Sequence, residues 1–156
     1  MEFNFDGPSG TVQIVVALLV GLGTVGYGAY SYTAQASALE STETVDATLV
    51  STDVETINQR RGTAYTPQAT FEYTYQGASY TASNVYPGPL PREFDSRADA
   101  RAQLDGYAAG DTVTAYVPVD DPGKAFLKHE RSNKPFLVIG VGGVFVLGTL
   151  VSVFRN

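Results

Sequence analysis

Two stretches of this chain, residues 11–32 and 136–154, contain no charged residue, and that limits the possible folds more than any other feature. At about 1.5 Å of rise per residue, some 20 helical residues cross a hydrocarbon layer about 30 Å thick. Each stretch is long enough to do so. Tyr27, Tyr30 and Tyr32 gather at the end of the first, where an aromatic belt would sit. Lys134 and Arg155 bracket the second as interface anchors, Asn133 is a suitable N-cap, and Pro135 suits a first helical turn. Small residues let helices approach closely. Ala17, Gly21, Thr24 and Gly28 offer such a face in the first stretch; Gly148 and Ser152, four apart, offer one in the second, with Gly140, Gly142 and Gly143 nearby. The two spans are expected to pack together, within one molecule or between copies.

Two other readings of the first span carry less weight. Residues 21–26 spell GxGxxG, but the dinucleotide fingerprint needs a preceding strand in a βαβ unit, and here the motif lies inside an apolar run. Ala34-Gln35-Ala36 resembles a signal-peptide cleavage site. However, the first ten residues hold no lysine or arginine. The apolar run also exceeds the usual signal core of roughly 7–15 residues. An uncleaved anchor is the expectation.

Between the spans, residues 65–76 alternate without a fault. Tyr65, Pro67, Ala69, Phe71, Tyr73 and Tyr75 share one face, while Thr66, Gln68, Thr70, Glu72, Thr74 and Gln76 share the other. Side chains on a strand point to opposite faces in turn, so this is a strand with one packed and one wet face. Gln76-Gly77 reads as a tight hairpin turn, and Ala78, Tyr80 and Ala82 resume the alternation until Pro87-Gly88-Pro89 ends it. A lone hairpin is marginal in water, so flanking segments must complete the sheet.

Those segments are readable. Residues 34–44 look like a polar linker or an extension of the first helix. Val45, Ala47 and Leu49 share one strand phase, and Val50 and Val54 do not; a bulge or bend at Leu49-Val50 reconciles them. Ser96 is an N-cap with Asp99 three residues on, and Ala100, Leu104, Tyr107 and Ala108 fall on one helical face that Gly110 should close. Val113, Ala115, Val117 and Val119 supply another strand, turned by Asp120-Asp121-Pro122-Gly123, and residues 124–127 pair again. The expected fold is membrane-anchored α+β: two transmembrane helices, at 11–33 and 135–154, flank a small, mostly antiparallel β domain with one short helix. That domain covers 45–128 as a sheet or partial barrel. Tails at 1–10 and 155–156 and a juxtamembrane segment at 129–134 complete the chain.

Within 45–127 the pattern resembles a known family. Its carriers are the strand at 45–54, then Tyr65-x-Pro67-x-x-x-Phe71-x-Tyr73-x-x-x-Gly77-x-x-Tyr80, then Gly110-Asp111-x-Val113-x-x-Tyr116. Asp121-Pro122 followed by Ala125 and Leu127 ends it. This is similar to the bacterial and archaeal membrane-protein family catalogued as domain of unknown function 3592. The resemblance implies a small β-rich domain held at a membrane by helices, and it brings no catalytic residues to carry over.

The residues that could do chemistry are few. With 16 acidic against 10 basic residues the net charge is −6, which disfavours nucleic-acid binding, and no cysteine exists for thiolate chemistry. Three lysines among so many acids would also suit high salt. The only histidine, His129, sits between Lys128 and Glu130 beside the second span, where solvation is the plain reading. Asp120-Asp121 could ligate a hard cation, yet Asp-Asp-Pro-Gly is also what a turn requires. Glu72, Glu93, Asp95, Asp99 and Asp105 show no spacing that favours a catalytic pair, and Arg60-Arg61 on a turn reads as solvated. No cofactor is expected. The chain reads as a non-catalytic accessory or interaction module on a lipid bilayer, with a membrane-protein partner or self-association through its glycine-rich helices. The alternative is a ligand-sensing or peptide- or glycan-binding domain that uses exposed sheet aromatics. Lys124, Lys128, Arg131 and Lys134 on the domain side outnumber Arg155 on the terminal side, so the positive-inside rule favours a cytoplasmic domain. That rule loses force for loops longer than about 60 residues.

Overall fold

The computed structural model describes residues 10–155; of the tails expected at 1–10 and 155–156, residues 1–9 and Asn156 lie outside the described residues. In chain order the elements are α1 (Thr11–Glu40), β1 (Thr42–Gln59), β2 (Gly62–Tyr75), β3 (Ala78–Ala82), α2 (Arg97–Ala102), β4 (Thr112–Pro118) and α3 (Lys134–Arg155). Two units result: α1 up to Thr33 with the chain from Asn133 onward, and residues 34–132.

The first unit is an antiparallel helix pair. On α1 the buried or half-buried positions Ala17, Gly21, Thr24, Val25, Gly28 and Ser31 recur at spacings of three and four, a single stripe. On α3 the matching stripe runs through Pro135, Ile139, Gly142, Val146 and Thr149. Both helices are long and apolar enough to cross a membrane. Apart from these stripes their large apolar side chains, such as Leu19, Leu22, Leu137 and Phe145, stand exposed.

In the second unit four antiparallel strands lie in the order β3-β2-β1-β4. The alternation of β2 holds: Ala69, Phe71, Tyr73 and Tyr75 are buried, and Glu72 and Thr74 are exposed. The turn into β3 places Gln76 at φ 48° and Gly77 at φ 80°. Two successive positive φ values are the type I′ geometry, whose twist matches a hairpin. The pairing of β1 with β2 skips a residue between Leu49 and Ser51, so Val50 is the bulge that the change of phase requires. Before it, Ala47 and Leu49 face inward; after it, Val54 does.

Beyond β3 the sheet curls towards closure. Phe126 bridges Tyr116 of β4 on one side and Asn84, just past β3, on the other. The Val85 carbonyl accepts hydrogen bonds from the N–H groups of Leu127 and Lys128 at 3.2 and 2.8 Å. The segment 125–127, fully inside, thus ties the two sheet edges together around a core of Leu49, Phe71, Tyr73, Val85, Val117 and Leu127.

One expectation is resolved and two are corrected. Of the two readings of 34–44, helix extension holds over linker: α1 continues to Glu40 and β1 begins at Thr42, so Ala34-Gln35-Ala36 lies within a helix with Gln35 buried. The helix α2 is shorter than its apolar spacing implied. Ser96 caps it, accepting the Asp99 N–H at 3.1 Å, but it ends at Ala102 and Gly106 turns the chain at φ 85°. Ala108 is therefore exposed, and Gly110 gives its N–H to the Leu49 carbonyl at 2.7 Å, starting the approach of β4 rather than closing a helix. Val119, finally, falls past the end of β4 and is 44% exposed.

Candidate functional site

The helix-packing residues divide by distance. A Cβ on Gly28 would lie 3.0 Å from the Ile139 backbone nitrogen and 3.1 Å from the Pro135 carbonyl oxygen. One on Gly142 would lie 2.8 Å from the Val25 nitrogen and 2.9 Å from the Gly21 carbonyl oxygen. These are backbone atoms that cannot swing aside, so only glycine permits this approach. Ala17, Thr24 and Ser152 are half-buried along the same stripes, and Thr24 donates its hydroxyl to the Val20 carbonyl at 2.8 Å. Gly148 is elsewhere: a Cβ there would meet nothing within 4 Å, and Gly142 holds the contact position on α3 instead. The GxGxxG run is part of α1, and its Gly21 belongs to the helix contact.

The β unit offers a small cavity, a polar face and a free strand flank. The cavity, about 100 Å³, is lined by Thr66 to Gln68 of β2 and by the chain after β3, including Pro89 and Pro91. Tyr86 and Arg92 belong to the same lining; the Arg92 guanidinium lies 4.6 Å from the Tyr86 ring centre and pairs with Glu130 at 2.7 Å. Burial pushes the Tyr86 phenol above its ordinary pKa, with Arg92 partly offsetting it, and Tyr86 donates to the Gln103 side-chain oxygen at 2.7 Å. The Thr66 hydroxyl, on the cavity lining, is buried without a hydrogen-bond partner among the described residues. An arginine already engaged by a carboxylate and a ring is a structural clamp rather than an open anion receptor.

On the outer sheet face, Thr81, Glu72 and Thr48 form one cross-strand row, Ser79 and Thr74 pair in the next, and Asp46, paired with Thr114, lies alongside. They line an open groove of about 640 Å³ with hydroxyls and two carboxylates. Tyr73 and Tyr80 also contribute to its lining, but as packed rings rather than an exposed platform. Tyr73, Tyr75 and Tyr86 are buried and Tyr65, Tyr80, Tyr107 and Tyr116 half-buried, so no tyrosine of the β unit is exposed. Burial raises the phenol pKa of Tyr73 and Tyr107 as well.

The acid–base candidates are scattered. Asp121 pairs with Lys124 at 2.8 Å and opens a 3₁₀ turn at Pro122. Glu93 accepts from the Gln59 side chain at 3.0 Å, Asp99 accepts from the Ser96 hydroxyl at 2.7 Å, and Glu72 stands on the outer face. His129 Nε2 lies 2.9 Å from the Leu39 carbonyl oxygen, which can only accept, so Nε2 carries the proton in that bond. Leu39 is in the last turn of α1, whose free carbonyls need such donors. His129 also packs against Tyr116, ring centres 5.1 Å apart. Its role here is to cap a helix.

The residues that carried the family resemblance are those that make this fold. Phe71 is fully buried, Tyr73 donates its hydroxyl to the Pro122 carbonyl and stacks on Tyr80 at 5.6 Å, and Gly77 holds the turn. A family model for a domain of unknown function (DUF3592) matches residues 45–132, more than half of the chain. The chain belongs to the DUF3592 family. The match begins at Val45, three residues into β1, and runs past the closing segment at 125–127, so in this chain the DUF3592 region is the sheet, less those first residues of β1, with its closure. A search of curated proteins finds no match. The expected pairing of 124–127 after the turn holds, with Phe126 bridging Tyr116, but its second bridge to Asn84 and the closing roles of Val85 and Tyr86 were not singled out. Their only local signal was an apolar residue beside a turn.

Proposed function

We propose that this DUF3592 protein is a non-catalytic interaction module, anchored in a membrane by α1 and α3 and offering its β unit to a protein partner. One observation carries the reading. The two long apolar helices bury only 11% of their most apolar windows inside the molecule, although they contact each other at backbone distance. A core helix of a water-soluble fold would be covered by its own protein. Here the bare flanks suit lipid, whose tails replace the missing cover. The β unit, by contrast, completes its own interior and needs no such medium. Its acids, histidine and arginines are engaged in turns, caps and clamps or stand apart on the surface, which favours a binding role over catalysis.

Alkaline carbonate extraction of cell membranes tests the anchor: the full-length chain stays with the membrane pellet, and its release into the soluble fraction overturns the reading. Sidedness follows from Lys124, Lys128, Arg131 and Lys134, which favour a cytoplasmic β unit. With no native cysteine to interfere, Ser51→Cys stays unlabelled by an impermeant maleimide in intact cells. Labelling there would put the β unit outside.

A further inference from the structure

The strand β1 is paired on both flanks for only part of its length. On one flank β2 accompanies it from Ala47 to Gln59. On the other, β4 accompanies it from Thr42 to Thr48, and Leu49 exchanges hydrogen bonds with Gly110 and Asp111 before the chain leaves. From Ser51 to Gln59 no described residue pairs with that second flank. A strand edge carries a row of backbone donors and acceptors that template another strand. The row here belongs to Thr52, Val54, Thr56 and Asn58. Tyr65 turns its N–H and C=O to Phe94, so its neighbour Thr66 faces β1, Glu55 opposite faces back, and the even-numbered residues of β1 face outward. Asp53 Oδ1 accepts the Val54 N–H at 2.7 Å, which places that donor on the open flank.

The charge along this edge is polarised. Asp53 and Glu55 lie towards its base, Arg60 and Arg61 at its tip, all exposed. Among the described residues neither arginine forms an ion pair. An antiparallel copy of the same edge reverses that order and sets acids against arginines. We propose that this flank of β1 pairs with the same flank of a second copy of this chain about a two-fold axis at Ile57. The register follows from the geometry. Outward-facing residues must meet outward-facing residues, so opposed positions are of like parity. Centring on Ile57 sets Glu55 opposite Gln59 and the half-buried Ile57 opposite its own copy, and brings the Arg60-Arg61 turn at the end of β1 alongside Asp53 of the other copy. The long Arg61 side chain reaches from that turn to Asp53, once on each side of the axis, and takes over the carboxylate that now serves Val54. The proposal names the partner of the interaction module and rests on that reading.

Single cysteines in the cysteine-free, full-length chain test it in native membranes under mild oxidation. Ile57→Cys sits at a non-hydrogen-bonded pair, where Cα atoms approach to about 4.5 Å, and forms a disulfide-linked dimer. Thr56→Cys faces Asn58 of the other copy and stays monomeric, as does Glu72→Cys on the outer sheet face. Adding Asp53→Arg to Ile57→Cys sets arginine against arginine and lowers cross-linking about tenfold; adding Arg61→Asp as well restores it. A dimer through Thr56→Cys but not Ile57→Cys, no cross-link above the Glu72→Cys control, or failure of the charge swap to rescue would each overturn the pairing. Carbonate extraction of the same variants reads anchoring separately. A chain that stays in the membrane pellet without cross-linking sinks the edge pairing and leaves the anchor standing, including when it binds a different protein.

Discussion

The helix pair and the β unit bury surface by opposite means. Where α1 meets α3 the sequence removes side chains: at Gly28 and Gly142 a single added carbon would come within 3.0 Å of a neighbouring backbone nitrogen. The β unit instead fills its interior with Leu49, Phe71, Tyr73 and Phe126. Close backbone contact gains dispersion energy but covers little area, so the helices keep long apolar flanks bare. Aromatic filling removes a great deal of surface from water and makes a region self-sufficient there. The difference explains why one chain can hold a part suited to lipid and a part suited to water without a shared core.

The sharpest way to break that contrast is to swap the kind of residue each region depends on. Phe71→Ala should cost the β unit about 3–5 kcal/mol, while Glu72→Ala, its exposed neighbour, stays within about 0.5 kcal/mol. Urea melts of the full chain in detergent micelles, followed by tyrosine fluorescence, read both; equal losses would erase the distinction between the two faces of β2. Next, Gly142→Leu should destabilise the helix pair by about 1–3 kcal/mol through overpacking and leave the β unit's melt unchanged. Gly148→Leu should do neither. Amide hydrogen exchange along α1 and α3 reports this, and unaltered protection in Gly142→Leu would show that the stripe does not hold the helices. Smaller again is Gly77→Ala, at about 1–2 kcal/mol, because a Cβ is forced into the left-handed region. The backbone there sits at φ 80°. The same change at Gly23, which is helical and unopposed, should be neutral to slightly stabilising. Smallest is Ser96→Ala, about 1 kcal/mol, from loss of the cap on α2. A loss above that of Gly77→Ala would mean that this short helix contributes more to the core than its buried Ala100 accounts for.

How much was legible depended on the range of the interaction. The faces of β2, the type I′ turn, the bulge at Val50 and the Ser96 cap each follow from residues within a few positions of one another. The early end of α2 was not legible. The apolar spacing ran on to Ala108 with Gly110 as the stop, but the helix ends at Ala102 and Gly110 bonds to Leu49, more than fifty positions earlier in the chain, a partner that no local pattern names. The candidate helix contact split the same way. Both helices had small residues to offer, but which face of α3 turns inward is settled by where α1 lies, and that selects Gly142 over Gly148.

The sequence by itself therefore determined the two apolar helices, the phase of each strand and the positions of the tight turns. Each of these is written in a period of 2 or 3.6 or in a residue that tolerates one backbone conformation. Tertiary structure alone decided that Phe126 also reaches Asn84 in the chain after β3, that His129 caps α1, and that β1 outruns β4 and, among the described residues, leaves a flank open. The physical reason is that a strand's pattern specifies which side chains face inward but says nothing about which neighbour fills its backbone hydrogen bonds. Those partners come from distant chain, and where none arrives among the described residues, as along Thr52 to Gln59, an edge remains for something else to fill.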